Sequence, residues 1–243
     1  MTLLMLILSA HFLADFYFQP DSWAINKYRH RKYLWYHIGV YFLTLESCLI
    51  LCIPFSEAIK AGLFIVGIHF IIDAVKIHIC NRYRNSPRMD LVAFCMDQIL
   101  HITSICAGVC LFRLPSYFDS AFEIMGVPFP SEKIINYVLL IILLFNPASV
   151  FVKKLTAYIS SEDNSVSSNT PPAGSLIGKL ERLIIAVLII HNEIGTIGFV
   201  LTAKSFARYK QFADQNFTEK FLVGTLSSTA IAMVLTFLLK LRT

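Results

Sequence analysis

Long apolar stretches alternate with short polar segments along the whole chain. Several stretches approach or reach the roughly 20 residues that an α-helix needs to cross a membrane. The first lacks the basic start and small-residue cleavage site of a signal peptide, so we expect it to be retained. The pattern predicts an all-α polytopic transmembrane helix bundle of about six or seven spans. The apolar stretches are residues 2–19, 35–55, 61–80, 91–114, 134–152, 176–202 and 221–239.

The spacing of these stretches predicts four regions. Residues 1–115 form a four-span core, and residues 116–159 form an outer loop with the fifth span. A polar linker rich in Ser, Asn and Pro follows at residues 160–175. Residues 176–243 are predicted to form a C-terminal membrane hairpin with a basic connecting segment.

The apolar stretch at residues 176–202 is not a simple span. A full crossing would place Lys204 and Arg208 outside, against the preference of basic residues for the cytoplasmic side. A re-entrant or broken helix avoids this but places Lys240 outside instead. The sequence therefore leaves six and seven crossings both open. The interrupting residues are His191, Asn192, Glu193 and Gly195.

Composition and charge agree with a membrane bundle and argue against other classes. Hydrophobic residues make up 56% of the 243 residues and charged residues only 15%, against about 25% charged in soluble domains. The net charge of +5 comes largely from loop Lys and Arg, so we expect no nucleic-acid partner. Basic segments at residues 27–32 and 82–88 mark the cytoplasmic side, and the acidic segment 119–130 the outer side. We interpret the six cysteines, none in a CxxC pair, as packing residues.

Three predicted spans carry a histidine and an aspartate four residues apart, so that each pair shares one helical face. The orientation set by the basic loops brings all three pairs, and a histidine at the start of the second span, to one level near the cytoplasmic surface. The pairs are His11 and Asp15, His69 and Asp73, and Asp97 and His101, and the additional histidine is His37.

An intramembrane metal site is the reading that we favour for this cluster. Each aspartate costs about 2.5–3.5 kcal/mol at the centre of a membrane on insertion scales, so such residues pair, coordinate or face water. Imidazole and carboxylate ligands suit zinc, our first choice, and also iron or manganese. The predicted metal ligands are His11, Asp15, His37, His69, Asp73, Asp97 and His101.

Several nearby polar residues leave alternatives open. Lys76 shares a face with Asp73 and would neutralise it in a charge-pair or proton-relay network without metal. Gln19 and Gln98 either orient ligands or, as we slightly prefer, form hydrogen bonds between helices. Two further residues, Lys27 and His78, are expected to be solvated at the interface.

A second polar set lies in the C-terminal third, and we expect it to form interhelical salt bridges or headgroup contacts. Its deepest member is predicted to be Glu193. Small residues from Gly224 to Ser228 suit close helix packing. The polar set is Lys179, Glu181, Arg182, His191, Glu193, Lys204 and Arg208.

Taken together, the motifs resemble those of a bacterial multi-pass membrane family, domain-of-unknown-function family 3307. The resemblance implies a protein of the bacterial inner membrane and supplies no activity. The motifs are His11-Phe-Leu-Ala-Asp15-Phe-Tyr-Phe-Gln19, Lys27, His37, His69-Phe-Ile-Ile-Asp73-Ala-Val-Lys76, Asp97-Gln98-Ile-Leu-His101, Gly178-Lys179-Leu-Glu181-Arg182, Ala203-Lys204-Ser-Phe-Ala-Arg208 and Gly224-Thr225-Leu-Ser227.

Three functions fit the cluster. The first is a metal-dependent hydrolase of a lipid or other membrane substrate, with histidine ligands and a catalytic set of Asp15, Asp73, Lys76 and Asp97. The second is an ion- or proton-coupled transporter or channel that uses the same residues. The third is a non-catalytic membrane partner in stress or defence with a structural metal. Expected partners are membrane lipids and a second copy of the chain.

Overall fold

The computed structural model describes residues 1–83, 86–118, 131–160 and 172–240. Within these ranges the secondary structure is helical, without strands. The predicted outer loop at 119–130, most of the linker at 160–175, Arg84 and Arg242 lie outside the described residues. The helices are α1 (Thr2–Phe16), α2 (Asp21–Asn26), α3 (Arg31–Cys52), α4 (Phe55–Arg82), α5 (Pro87–Leu111), α6 (Glu132–Ser160), α7 (Pro172–Ile190), α8 (Thr196–Ala207) and α9 (Gln215–Lys240), with a 3₁₀ helix at Tyr209–Ala213 before α9.

Five of the described helices are long and apolar enough to cross a membrane: α3, α4, α5, α6 and α9. Helices α1 and α8 are apolar but shorter, with 15 and 12 residues. At about 1.5 Å per residue, α1 is about 22 Å long, less than a hydrocarbon core of about 30 Å. The fold therefore supports the prediction of a helical membrane protein, while the count of six or seven spans stays a prediction.

Among the predicted boundaries that differ from the structure, two lie at prolines. The first helix ends at Phe16 rather than at Gln19, and extended backbone at Pro20 then starts the separate helix α2. The polar segment between the predicted stretches 35–55 and 61–80 is not a loop, because Pro54 precedes α4 and residues 56–60 lie in its first turns. A proline directly before the first helical turn loses no hydrogen bond, so Pro54 starts a helix as readily as it ends one.

The first compact unit, Met1–Leu139, is built around α1, α3, α4 and α5. Helix α1 packs on α3 and α5, and α4 packs on both α3 and α5. Its buried core includes Ile7, Leu49, Ile65 and Ile105. Many apolar side chains on the same helices point outward, including Leu51 at 74% exposed. An apolar interior inside an apolar surface is what lipid-facing helices require.

The second compact unit, Leu140–Thr243, pairs α7 with α9 and places α8 against α7. The predicted interruption of stretch 176–202 is confirmed as a helix break, because α7 ends at Ile190 and α8 begins at Thr196. Asn192 adopts a left-handed φ of 65° there, a conformation that asparagine tolerates better than most residues. A re-entrant path for this break stays a prediction, as does the four-region organisation of the chain.

Candidate metal centre

All seven predicted ligands lie together inside the first unit. Helix α1 contributes His11 and Asp15, α3 contributes His37, α4 contributes His69 and Asp73, and α5 contributes Asp97 and His101. Six of the seven are at most 4% exposed, and the Asp15 side chain is 10% exposed. The i, i+4 spacing places each pair on the inner face of its helix, and packing of the helices brings the faces together.

Three donor atoms form a small triangle at the centre of the cluster. His37 Nε2 lies 3.1 Å from His69 Nε2 and 3.5 Å from Asp15 Oδ1. The third side, from His69 Nε2 to Asp15 Oδ1, is 3.6 Å. Asp73 Oδ2 also lies close, 3.4 Å from His37 Nε2.

The size of this triangle fits a divalent metal ion. Nitrogen and oxygen ligands bind zinc at about 2.0–2.1 Å, which puts tetrahedral donor atoms about 3.3 Å apart. Overlapping groups in the cluster keep their donor atoms within 4.8 Å of one another. Zinc, iron and manganese all accept this donor set, so the geometry does not select among them. The groups are His11–Asp15–His69, His37–His69–Asp73 and Asp73–Asp97–His101.

Aromatic contacts fix the orientation of His69 and His11. The ring of His69 is stacked between Tyr41, at a centroid distance of 3.7 Å, and His101, at 4.0 Å. The Tyr41 hydroxyl lies 3.2 Å from His11 Nδ1, which leaves His11 Nε2 to face Asp15 Oδ2 at 3.9 Å. Sequence reasoning missed Tyr41, although it follows His37 by four residues and therefore shares its helical face.

Two lysines neutralise two of the three carboxylates. Lys27 Nζ donates to both oxygens of Asp73, at 3.1 and 3.2 Å. Lys76 Nζ donates to Asp97 Oδ2 at 2.6 Å. The expectation that Lys27 is solvated is wrong, since it is 7% exposed, and Lys76 pairs with Asp97 rather than Asp73.

Lys27 reaches the cluster because the segment after α1 folds back over it. The side-chain amide of Asn81, near the end of α4, donates to the Tyr28 carbonyl at 3.1 Å and holds this segment down. Burial raises the pKa of the Tyr28 phenol to about 12, so this group is neutral at physiological pH. Gln98 donates to Asp97 Oδ2 at 3.1 Å within α5.

Several polar atoms of the cluster remain unsatisfied within the part of the chain that is described. Buried polar groups in proteins almost always have a hydrogen-bond partner, so a concentration of exceptions marks a place for a ligand or water. Asp15 is also the carboxylate that neither lysine contacts. The atoms without a hydrogen-bond partner include Asp15 Oδ1, His11 Nε2, His37 Nδ1, His69 Nδ1, Asp97 Oδ1 and His101 Nδ1.

The polar set of the second unit is arranged differently. The salt-bridge prediction is confirmed for Glu181 and Lys204, which pair between α7 and α8. Lys179 donates to Asn146 Oδ1 at 2.7 Å, and Arg208 lies 5.8 Å above the centroid of a phenylalanine ring at position 221. Arg182 is buried among backbone carbonyls and hydroxyls. The remaining members, His191 and Glu193, are exposed in the break.

The packing role predicted for the cysteines stays a prediction, since only Cys52 is buried and Cys110 is exposed. None of the six forms a disulfide, and none belongs to the groups of possible metal ligands found among the described residues. The candidate site therefore consists of imidazole, carboxylate and ammonium groups alone.

A family model described as "Protein of unknown function (DUF3307)" matches residues 3–124, about half of the chain. The resemblance read from the sequence motifs is thereby confirmed for this segment, which contains all seven predicted ligands and both lysines. The C-terminal motifs lie outside it. No curated protein and no solved structure matches the chain.

Proposed function

The chain belongs to the DUF3307 family, and on that premise we propose that it is a metal-dependent hydrolase of a membrane substrate. Its divalent ion is held by Asp15, His37 and His69. The observation that carries the proposal is the triangle of donor atoms, with sides of 3.1, 3.5 and 3.6 Å. Two imidazoles and a carboxylate leave positions open on the ion, as catalytic zinc sites do.

The charge balance of the cluster supports a single ion. With neutral imidazoles, three carboxylates and two ammonium groups leave one negative charge, located at Asp15. A divalent ion changes this to one positive charge, which one hydroxide or one anionic substrate group offsets. A second divalent ion would leave an excess of positive charge in a low-dielectric interior, which is costly. We therefore place one ion at the triangle and leave Asp73 and Asp97 with their lysines.

The residues around the triangle supply the remaining catalytic roles. A bound divalent ion lowers the pKa of water and polarises a carbonyl or phosphoryl oxygen. Asp97, which lies 3.3 Å from His101 Nε2, forms with it the acid–base pair that takes and returns the proton. Lys76 is 16% exposed at its side chain, the more accessible of the two lysines, and offsets negative charge developing on the substrate. The Lys27–Asp73 ion pair adds no net charge to the site.

The substrate of this proposal is a lipid amide, ester or phosphoester. His37 and His69 lie on helices that are apolar and long enough to cross a membrane, and Asp15 lies on the shorter apolar helix α1. The basic residues of segment 27–32, with Arg82 and Arg88, are near the same helix ends. By the distribution of positive charge, this end faces the cytoplasm of a bacterial inner membrane. A lipid of the inner leaflet and water from the cytoplasm both reach a site at this depth in the membrane.

A proton relay is the second candidate function, and the neutralised carboxylates favour it. Lys27 and Lys76 already supply two positive charges that a metal would otherwise provide. The imidazoles are also in direct contact, as shown by the 3.1 Å separation of His37 Nε2 and His69 Nε2. Contacting imidazoles and carboxylates inside a membrane are typical of proton pathways.

The experiment measures metal content and substrate turnover on the full chain purified in detergent. We expect about one zinc, iron or manganese ion per chain, lost in Asp15→Asn and His69→Ala without unfolding. A panel of labelled lipid amides, esters and phosphoesters identifies the substrate, and Asp97→Ala abolishes its turnover while retaining the metal. Ser227→Ala, in the second unit, is the control and changes neither quantity.

Each alternative function gives a different result in this experiment. Metal without turnover of any lipid class contradicts the hydrolase and leaves a structural ion. Absence of metal, combined with proton flux in liposomes that His37→Ala abolishes, establishes the relay instead.

A further inference from the structure

Glu46 is a buried acidic residue of the first unit that the candidate metal centre does not use. It lies on α3, 4% exposed, in a helix long and apolar enough to cross the membrane. Neither of its carboxylate oxygens has a hydrogen-bond partner among the described residues. An ionised carboxylate in such surroundings is expensive, and proteins rarely leave one unpaired.

A glycine on the neighbouring helix provides the space for this carboxyl group. A Cβ atom built at Gly62 of α4 would overlap with Glu46 Oε1, and the other carboxylate atoms would also be too close. The side chain of Glu46 therefore occupies the notch that the missing side chain of Gly62 creates. On the same face of α4, Ala58 and Ile65 are fully buried. The carboxyl group is thus enclosed by apolar and small residues.

Charged groups on the helices packed against α3 lie away from Glu46. Helix α2, which carries Asp21, contacts α3 at Tyr36, ten residues or about 15 Å before Glu46. On α4, Glu57 is paired with Lys60 at 2.8 Å near the start of the helix. His69 is seven residues, about 10 Å, beyond Gly62 in the same helix. On α1, the ionisable side chains are His11 and Asp15, which belong to the metal centre. Along α3 itself, Glu46 lies nine residues, about 14 Å, from His37.

We propose that Glu46 is a proton-binding site inside the membrane: a carboxylic acid that stays protonated in the notch at Gly62 and is open to modification by hydrophobic carbodiimides. The neutral acid needs no cation, which fits the absence of one among the described residues. This site is separate from the metal centre and does not depend on the hydrolase proposal.

The modification reaction follows from a protonated carboxyl group in an apolar environment. The acid transfers its proton to one nitrogen of dicyclohexylcarbodiimide, and the carboxylate oxygen bonds to the central carbon. This O-acylisourea then rearranges by moving the acyl group from oxygen to nitrogen. The product is a stable N-acylurea that contains every atom of both reactants. In water the first adduct hydrolyses instead, so a stable adduct reports an enclosed site.

The test treats the full chain in detergent with dicyclohexylcarbodiimide and locates the adduct by peptide mass spectrometry. We expect at least tenfold more adduct on the Glu46 peptide than on the same peptide of Glu46→Gln. Glu57, an ion-paired carboxylate in the same chain, serves as the internal control and remains unlabelled. A water-soluble carbodiimide should label Glu46 at least tenfold less than the hydrophobic reagent does.

Two further measurements keep the proposal open to refutation even if one variant folds poorly. Gly62→Ala fills the notch and should lower labelling of Glu46, whereas Gly67→Ala, with open space around its Cβ position, should not. Glu46→Gln keeps the shape of the neutral acid, so its unfolding midpoint should equal or exceed that of the unaltered chain. Protection of Glu46 by sodium or calcium ions, or a lower midpoint for Glu46→Gln, would show a charged cation site and overturn the proposal.

Discussion

The buried arginine of the second unit and the candidate site of the first unit are built in opposite ways. In the second unit, Arg182 makes four hydrogen bonds: it donates to the carbonyls of Leu144 and Phe145 at 2.5 and 3.2 Å. Its other two bonds go to the hydroxyls of Ser228 and Ser149, at 2.9 and 2.5 Å. In the first unit, the histidines and aspartates are equally buried but leave several ring nitrogens and carboxylate oxygens without a partner.

This difference separates a structural polar group from a site. Pro147 lies inside α6 and cannot donate a backbone hydrogen bond, so it weakens the hydrogen bonding of its own helix. Arg182 binds the carbonyls next to this defect and thereby links α7 to α6. Four of the five N–H donors of Arg182 are used in this way. In the first unit, six buried atoms of the histidines and aspartates lack a partner, and one of them, Asp15 Oδ1, belongs to the triangle of donor atoms, as expected where a ligand or water binds.

The largest expected effect comes from removing the guanidinium group of Arg182. Arg182→Met should lower the free energy of unfolding by about 4 kcal/mol, because four buried acceptors each lose a bond worth about 1 kcal/mol or more. Denaturation of the full chain in detergent micelles measures this loss, and metal content should not change. If Arg182→Met released the metal or left stability unchanged, the contrast between the two units would be wrong.

Spacing within a helix made the candidate site predictable. The i, i+4 pairs fixed which side chains share a face, and the basic loops fixed their common level, so His11, Asp15, His69 and Asp97 were expected to meet. The partner of each lysine was not predictable in this way. Lys27 follows a helix of only six residues, too short for a periodic pattern, and its contact with Asp73 depends on how that segment folds back.

Contacts between helices were the other feature that spacing did not reveal. In the sequence, Gly62 is one glycine in an apolar stretch. Only the packing of α3 on α4 shows that Glu46 lies against it. Likewise, the sequence predicts a salt bridge or headgroup contact for Arg182. Its actual partners, the carbonyls beside Pro147, are seen only in the folded unit. Both contacts depend on helix rotation, which the apolar pattern of a lipid-exposed helix defines poorly because its outer face is apolar as well.

The next prediction tests whether a polar group of the first unit can also be purely structural. Lys27→Met leaves Asp73 buried without its cation, which should lower the free energy of unfolding by about 3 kcal/mol in a chelator. The double substitution with Asp73→Asn should recover most of this loss, since it removes the unpaired charge. Bound divalent metal should also reduce the loss, because Asp73 Oδ2 lies 3.4 Å from His37 Nε2, one of the proposed ligand atoms.

The control for this pair is the exposed ion pair of Lys60 and Glu57 at the start of α4. Lys60 is 60% exposed at its side chain, and Lys60→Met should change the unfolding free energy by less than about 1 kcal/mol. A loss in Lys27→Met that neither Asp73→Asn nor metal reduces would mean that the lysine acts through packing of its alkyl chain rather than through its charge.

The smallest effect compares one hydroxyl group in each unit. Tyr41→Phe keeps the ring that stacks on His69 but removes the contact at His11 Nδ1. Metal affinity should fall about tenfold, since groups that orient ligands typically contribute 10–100-fold, and the metal-free chain should lose about 1 kcal/mol of stability with the buried hydrogen bond. Ser228→Ala, which removes one acceptor from Arg182, should also cost about 1 kcal/mol of stability but leave metal affinity unchanged. Metal titration and unfolding of both variants test this, because only the hydroxyl that orients a ligand should change metal affinity.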